Sequence, residues 1–424
     1  MAATLDPRTS DLLRIATAGS VDDGKSTLIG RLLYDTKSIL ADQLEQVAEA
    51  SERRGGAGAF DLSLLTDGLR AEREQGITID VAYRYFKTPA RSFILADTPG
   101  HVQYTRNMVT GASTADVAIV LVDARHGVVD QTRRHASIAT LLGIPHLVLA
   151  VNKMDLVDFD EAVFTRVVEE FRALGDRLGA HELTAIPLSA LDGDNVVERS
   201  ERTPWFDGPA LLEHLEAIGV EEDRNLEDLR FGVQWVIRPG ADIDVDYRGY
   251  AGKVASGHLA AGDEVTVLPS GVTSTVAAVE TYDGELEEAF AGMSVTVRLA
   301  DDVDVSRGDV LVRAGAGASA RRELEADVCW FSEAPLRPRA RLLLKHLSQT
   351  VPVIVDGLLD RLDVADLTRS ADAPPELALN DIGRVALRLR TPFVADPYDV
   401  NRATGAFVLI DEQTNETVGA GMVR

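Results

Sequence analysis

The chain has 424 residues, a formal net charge of −25 and one cysteine, Cys329. This length exceeds one ordinary core, so we expect two or three domains. The acidic balance disfavours broad binding to a nucleic-acid backbone, and a single cysteine excludes an intrachain disulfide, so we expect Cys329 to be a small buried apolar residue. No apolar run approaches ~20 residues, and residues 1–10 lack a signal-peptide pattern. We therefore expect no membrane partner and a cytoplasmic location.

After an N-terminal tail (residues 1–11), residues 12–219 alternate strand-like and helix-like segments. The apolar runs that predict strands are Leu13–Ala18, Val81–Phe86, Ser92–Ala96, Val117–Val122, His146–Val151 and Thr184–Leu188. Helices are predicted at Gln131–Leu142 and Glu161–Leu178. The later strands are almost continuously apolar, which is typical of strands covered on both faces. The pattern predicts a doubly wound α/β domain with a mostly parallel sheet and its ligand at the carboxyl ends of the strands.

The second half of the chain has a different character. The segment Leu215–Leu229 is acidic and polar, and within it we place a linker at residues 220–228. Beyond it, alternating or β-branched runs separated by Gly and Asp turns predict two all-β barrel domains, at residues 229–315 and 320–424. The run Arg341–Leu347 is compatible with a helix or a strand, and we favour a strand.

Residues 19–26 have the Gly-x-x-x-x-Gly-Lys-Ser spacing of a P-loop, in the strand–loop–helix context that the motif requires. The phosphate-binding set is Gly19, Ser20, Val21, Asp22, Asp23, Gly24, Lys25, Ser26 and Thr27. Backbone amides of such a loop converge on phosphates, and the two glycines permit close approach. We expect Lys25 to neutralise the β- and γ-phosphates. Ser26 is expected to give its hydroxyl to Mg²⁺, which prefers hard oxygen ligands.

A second motif, Asp97-Thr98-Pro99-Gly100, ends another apolar run. The carboxylate of Asp97 suits Mg²⁺, directly or through water. Gly100 offers an amide to the γ-phosphate in a segment that can move when that phosphate leaves.

Two residues near this motif are candidates for the hydrolysis step. His101 follows Gly100 and is the predicted catalytic residue, because it can position the attacking water and phosphoryl transfer depends mainly on positioning and charge stabilisation. Thr78, in the predicted switch segment 76–79, is expected to complete the Mg²⁺ shell when a γ-phosphate is present. The predicted metal ligands are therefore Ser26, Thr78 and Asp97.

The motif Asn152-Lys153-Met154-Asp155 predicts guanine as the base. The Asp155 carboxylate can accept from N1–H and the 2-amino group of guanine, whereas adenine presents a lone pair at N1. Such a mismatch can discriminate by roughly 10⁴-fold. Asn152 is expected to connect the loops and the Lys153 stem to cover the base. The segment Ser189-Ala190-Leu191 follows the last strand and is expected to give a backbone amide to the guanine oxygen.

The order of these motifs, followed by two β-domains, resembles the translation-factor superfamily of GTPases over nearly the whole chain. Within it the chain is most similar to the large, GTP-hydrolysing subunit of bacterial sulfate adenylyltransferase (ATP sulfurylase). The runs that carry this narrower match are Gly19–Leu33, Asp67–Phe86, His101–Met108 and Arg248–Gly252. Elongation factors usually have a histidine at the position of Asp23 and an arginine at that of Gln75, and both differences favour the sulfate-activation subunit.

The resemblance implies GTP and Mg²⁺ as cofactors and a division of labour between two subunits. A smaller catalytic subunit would bind ATP and sulfate and form adenosine 5′-phosphosulfate and pyrophosphate, while this chain hydrolyses GTP and drives that unfavourable adenylation. It further implies that Val21 and Ile77 form an apolar gate beside His101 and that Asp22 lines the phosphate loop. Some relatives carry an adenylylsulfate kinase domain with its own P-loop. This sequence has no second P-loop, so we expect no kinase activity.

Two other functions are compatible with a GTPase of this kind. One is an elongation-type factor that delivers aminoacyl-tRNA, against which the net charge of −25 and the residues at 23 and 75 weigh. The other is a regulatory GTPase that scaffolds a partner without stimulating it. We expect no nucleic-acid partner.

Overall fold

The structure is a computed structural model, and it describes residues 12–39, 62, 80–100, 105–178, 182–220, 225–238, 247–363 and 368–424. The chain divides into two compact units, residues 1–221 with 364–368 and residues 222–363 with 369–424. The expected α/β domain lies in the first unit and the β-barrels in the second, so the predicted fold class is confirmed.

The first unit alternates strands and helices. Its strands are β1 (Leu12–Gly19), β2 (Ala82–Lys87), β3 (Ser92–Asp97), β4 (Val117–Asp123), β5 (His146–Asn152) and β6 (Glu182–Pro187). Its helices are α1 (Lys25–Asp35), α2 (Thr105–Ala112), α3 (Asp130–Leu141), α4 (Glu161–Leu178) and α5 (Leu211–Ala217), with a short 3₁₀ helix at Met154–Val157. Every strand predicted from an apolar run forms, with its ends displaced by at most two residues.

In the described residues of this unit the six strands form one sheet in the order β2-β3-β1-β4-β5-β6. Only β2 is antiparallel to its neighbour. All residues of β4 and β5 are buried, as their continuous apolar sequences require. The parallel arrangement brings the carboxyl ends of β1, β3, β4 and β5 to one edge, where the chain has Gly19, Asp97, Asp123 and Asn152.

The linker placed at residues 220–228 begins one residue too early, because Val220 belongs to the core of the first unit. Leu215 lies in α5, and Leu215, Ile218 and Val220 are buried in the core of the first unit. Leu229 is fully buried in the core of the second unit. The acidic residues that suggested a linker lie in the sequence between Val220 and Leu229. The apolar residues on either side of them are buried in the two cores.

The second unit begins with an antiparallel barrel. Its strands are β7 (Arg230–Ile237), β8 (Gly249–Ser256), β9 (His258–Ala260), β10 (Glu264–Leu268), β11 (Val272–Thr281), β12 (Gly284–Leu286), β13 (Glu288–Phe290), β14 (Ser294–Leu299) and β15 (Val310–Arg313). Among the described residues, six strands in the order β10-β15-β7-β8-β14-β11 close through pairing of β10 with β11. Closure leaves this barrel without an open edge.

A second closed barrel follows. It consists of β16 (Ala320–Trp330), β17 (Arg341–His346), β18 (Gln349–Leu362), β19 (Ile382–Val394), β20 (Ala406–Asp411) and β21 (Thr417–Val423), with a short helix α6 (Arg402–Gly405). The ambiguous run from Arg341 is a strand whose residues alternate between exposed and buried, which confirms the preferred interpretation. Cys329 is buried in β16, as expected for a small apolar residue. Arg230 connects the two barrels through Nε and Nη2, which lie 3.0 and 2.8 Å from the carboxylate of Asp396.

Candidate nucleotide-binding site

The phosphate loop connects β1 to α1, between Gly19 at the end of the strand and Lys25 at the start of the helix. Gly24 has a φ of +94°, a conformation that favours glycine. A Cβ atom added to Gly19 would lie 3.0 Å from the carbonyl oxygen of Leu121 on β4. Both glycines are therefore required by the local geometry, one by its backbone conformation and one by the closeness of the neighbouring strand.

Lys25 lies inside the loop that precedes it. Its Nζ donates to the carbonyl oxygens of Gly19 and Ser20, both at 2.8 Å. Burial lowers the pKa of this ammonium, and the carboxylates of Asp97, Asp23 and Asp22, in decreasing order, oppose that effect. The cation is thus held in the loop with acidic groups around it.

Gly100 is packed against the same ammonium group. A Cβ atom added to Gly100 would lie 2.7 Å from Nζ of Lys25 and 2.9 Å from the carbonyl oxygen of Gly19. The Thr98 hydroxyl donates to the carbonyl oxygen of Thr17, and Thr98, Pro99 and Gly100 are all buried. The structure therefore brings the second motif directly against the phosphate loop.

The predicted Mg²⁺ ligands Ser26 and Asp97 belong to elements that meet at this place. Asp97 ends β3 and is 2% exposed, and Ser26 is the second residue of α1. In the described part of the chain, no group of three or more His, Cys, Asp or Glu residues could hold a metal ion. The Ser26 hydroxyl and the Asp97 carboxylate fit magnesium, which is commonly bound through one or two protein oxygens together with phosphate oxygens and water.

Several predicted residues of the hydrolysis step lie outside the described residues. These are Thr78, Ile77 and His101, with the switch segment 76–79. Val21 and Asp22 are described. They lie in the turn of the phosphate loop, where Val21 is half-buried and Asp22 is exposed with a φ of +66°.

Asn152 connects the phosphate loop to the loop after β6. Its Nδ2 donates to the carbonyl oxygen of Asp23 at 2.7 Å, and its Oδ1 accepts from the amide of Ala190 at 2.9 Å. The side chain is 2% exposed, so both hydrogen bonds are shielded from water. One amide group thereby fixes the distance between the phosphate loop and the loop after β6.

Lys153 makes a second connection to the phosphate loop. It has a φ of +62°, and its Nζ donates to the carbonyl oxygen of Asp22 and lies 3.0 Å from Oδ2 of Asp123. Asp123 ends β4 and is also held by Arg125, whose Nε and Nη2 lie 3.0 and 2.7 Å from its two oxygens. Burial alone would raise the pKa of Asp123, but hydrogen bonds from Arg125 and Lys153 bring it well below its usual range. This carboxylate therefore stays ionised and orients the lysine.

Asp155 lies in the 3₁₀ helix that follows Lys153 and is partly exposed, so its carboxylate is accessible to a ligand. Met154 beside it is fully buried, and its amide donates to the carbonyl oxygen of Leu188 at 3.2 Å. Burial of Met154 anchors the short helix, and it leaves the neighbouring carboxylate at the surface.

The three residues proposed to contact the guanine oxygen differ in what their amides do. The Ser189 amide donates to the carbonyl oxygen of Asp194, and the Ala190 amide donates to Asn152. Among the described contacts, the amide of Leu191 has no protein acceptor. Leu191 is 62% exposed, which makes its amide the one best placed to serve a ligand.

Some residues that contact these loops were not predicted from the sequence. Asp123 and Arg125 orient Lys153, and on α3 the side chains of Gln131 and His135 contact the phosphate loop. Asp123 directly follows the apolar run Val117–Val122, and this position is the one sequence signal that could have indicated it.

Comparison with known proteins shows the family to which the chain is similar. Residues 10–226 match the sequence model of the elongation factor Tu GTP binding domain, and residues 323–424 match the model described as GTP-eEF1A C-terminal domain-like. The chain is 56% identical to the bifunctional enzyme CysN/CysC of Mycobacterium tuberculosis over 97% of its length and 67% of that protein. It is 53% identical to sulfate adenylyltransferase subunit 1 of Teredinibacter turnerae over 97% of its length and 87% of that protein.

The chain belongs to the sulfate adenylyltransferase subunit 1 family.

Among solved structures, the chain resembles the GTPase-like domain of Ski7 from S. cerevisiae bound to GDP and inorganic phosphate, with a TM-score of 0.53, 17% identity and 98% of each chain covered. At this identity the likeness concerns the fold alone.

Asp23 is a buried acidic residue of the phosphate loop. This is the position at which elongation factors usually have a histidine. Here the carboxylate is 6% exposed and accepts the Ser20 amide at 2.6 Å. Burial raises the pKa of Asp23, and the hydrogen bond from Ser20 and the charge of Lys25 act in the opposite direction. Among the described residues, no helix of this family member is long and apolar enough to cross a membrane.

Proposed function

We propose that this chain is the GTP-hydrolysing subunit of a sulfate adenylyltransferase. A smaller subunit binds ATP and sulfate and forms adenosine 5′-phosphosulfate and pyrophosphate, and GTP hydrolysis on this chain drives that reaction. The observation that carries the proposal is 53% identity to a sulfate adenylyltransferase subunit 1 across 97% of the chain.

The proposed binding of GTP uses the residues that the fold brings together. Lys25, already buried in the phosphate loop, compensates the charge of the β- and γ-phosphates. Asp155 recognises guanine through N1–H and the 2-amino group, and the Lys153 stem covers the base. Asn152 holds the two halves of the site at a fixed separation, which aligns the base and the phosphates.

The proposed magnesium ion would be held by Ser26 and Asp97, with Thr78 completing the set when GTP is bound. When bound, such an ion neutralises charge on the phosphate oxygens. His101 is proposed to orient the attacking water, since it follows Gly100, which lies against Lys25.

Coupling to the small subunit is proposed to depend on the γ-phosphate. Gly100 is packed against Lys25, so a γ-phosphate bound at Lys25 would contact the 97–101 segment directly. Loss of that phosphate would release the segment, together with the 76–78 segment, and change the surface presented to the partner.

The test is sulfate-dependent release of pyrophosphate from ATP by this chain and the small subunit from the same genome, with and without GTP. We expect stimulation by GTP that disappears with Lys25→Ala. Filter binding of aminoacyl-tRNA serves as the counter-assay. Binding of tRNA in the GTP state, with no stimulation of pyrophosphate release, would favour an elongation-type function and overturn the proposal.

A further inference from the structure

Two side chains of α3 contact the first two residues of the phosphate loop. Nδ1 of His135 accepts a hydrogen bond from the backbone N–H of Gly19 at 3.1 Å. Oε1 of Gln131 accepts from the hydroxyl of Ser20 at 3.0 Å. Residues four apart lie on the same face of a helix, so both bonds come from one face of α3. We call Gln131 and His135 the α3 clamp.

His135 is suited to be a permanent acceptor. The ring is 3% exposed, and burial, assisted by the charges of Lys25 and Arg134, lowers its pKa to about 3. The neutral ring has a free lone pair on one nitrogen only, so accepting from Gly19 at Nδ1 places the proton on Nε2. A charged ring could not accept the Gly19 amide. The low pKa therefore keeps His135 in the neutral form that accepts from Gly19 at neutral pH.

Gln131 contributes through its oxygen alone. In the described structure its Nε2 is buried and has no hydrogen-bond partner. A buried donor without a partner disfavours the folded state, so packing by itself would favour an apolar side chain of the same length. The hydrogen bond to Ser20 is the interaction that distinguishes glutamine from methionine at this position.

The clamp also determines which amides remain for phosphate. The Gly19 amide is donated to His135, and the Ser20 amide is donated to Asp23 at 2.6 Å. The amides of Gly19 and Ser20 therefore stabilise the conformation of the loop, and the amides that bind phosphate come from later in the loop. A change in the position of Gly19 would also displace Lys25, whose Nζ donates to the Gly19 carbonyl oxygen.

We propose that Gln131 and His135 are positioning residues that hold the phosphate loop in its binding conformation and so set the affinity for guanine nucleotides. The inference rests on the proposed function only in that the loop binds a guanine nucleotide. Neither residue needs to touch the nucleotide. Loss of one such hydrogen bond is expected to weaken binding by roughly 3- to 10-fold.

The experiment compares His135→Leu and Gln131→Met with conservative and packing controls. His135→Asn retains an acceptor near the position of Nδ1, and Gln131→Glu retains the oxygen that accepts from Ser20. Thr132→Val is the packing control, because Thr132 is on the same helix, is fully buried, and has an Oγ1 without a partner in the described structure. The affinity and dissociation rate of a fluorescent GDP are measured, with melting temperatures recorded on the same samples.

We expect His135→Leu and Gln131→Met each to raise the Kd for GDP by roughly 3- to 10-fold, mainly through faster dissociation. His135→Asn should recover most of the affinity, and Thr132→Val should bind as the wild type does. Unchanged Kd values in both apolar variants, beside a binding wild type, would overturn the clamp and leave the proposed function intact. A loss of affinity that tracks melting temperature and is not recovered by His135→Asn would also overturn it. A wild-type chain that bound no guanine nucleotide would overturn both.

Discussion

Gly24 and Asn152 are in direct contact: a Cβ atom built on Gly24 would lie 2.4 Å from Nδ2 of Asn152. The same nitrogen donates to the carbonyl oxygen of Asp23 at 2.7 Å. The second glycine of the phosphate loop is therefore required by the contact with Asn152 as well as by its own backbone conformation. The two halves of the site are built as one unit, and a change in either is expected to affect both.

Gly24→Ala tests this contact. A methyl group would displace Asn152 in addition to the strain of a left-handed residue, so we expect the Kd for GTP and GDP to rise at least ~10-fold. Gly262→Ala is the matched control, because Gly262 also has a φ of +94° but a Cβ atom there would meet nothing within 4 Å. It should cost about 1–2 kcal/mol of stability from backbone strain and leave nucleotide affinity unchanged. Equal affinities for the two variants would contradict the contact's role.

Asp155→Asn tests the choice of base. The amide presents a donor where guanine N1–H and the 2-amino group need an acceptor, so GTP affinity should fall by roughly 10²-fold or more, whereas xanthosine triphosphate should bind better than to the wild type. Competition against a fluorescent GDP measures both affinities. Asp160→Asn changes a nearby exposed carboxylate that caps α4 through the Ala162 amide, and it should alter neither. Unaltered GTP binding in Asp155→Asn would remove Asp155 from base recognition.

His101→Ala separates hydrolysis from binding. If His101 orients the attacking water, single-turnover GTP hydrolysis should slow by roughly 10²-fold or more, while the Kd for GTP stays within a few-fold of the wild type. Lys25→Ala is the contrasting variant. Its ammonium holds the loop through the Gly19 and Ser20 carbonyl oxygens, so both binding and hydrolysis should fail. Normal turnover in His101→Ala would assign the water to another group.

The buried neutral state of His135 predicts a pH dependence of stability. Its pKa is about 3 in the folded chain and about 6.5 when unfolded. Between these values the unfolded chain binds a proton that the native chain does not, so stability falls as pH falls below 6.5. From pH 7 to 5 this residue should remove about 2 kcal/mol. Urea unfolding of the wild type and His135→Asn at both pH values measures the difference, and equal pH dependence in the two proteins would contradict a buried neutral ring.

Local sequence was sufficient to predict the fold class and the motif loops that the structure brings to one edge of the sheet. Continuous apolar runs predicted β4 and β5 because a strand covered on both faces has no polar positions. Val220 was assigned to the linker because acidic residues follow it directly, and its burial in the core of the first unit is visible only when that unit is assembled.

The α3 clamp could not have been found in the same way. His135 and Gly19 are 116 positions apart, and neither the residue type nor the spacing marks the pair. Periodicity identifies the buried face of α3 but does not reveal that a lone pair there meets a loop amide. Contacts of this kind depend on how strands and helices pack, which one sequence does not specify residue by residue.

The most direct test of the central claim is the end point of adenylation rather than its rate. This chain and the small subunit are incubated with ATP and sulfate until adenosine 5′-phosphosulfate stops accumulating, with and without GTP, and with Lys25→Ala as the control. If GTP hydrolysis drives the reaction, GTP should raise the final amount of product well above the level reached by ATP and sulfate alone, and Lys25→Ala should abolish the increase. The same final amount reached more quickly with GTP would show regulation without energy coupling, and would contradict the account.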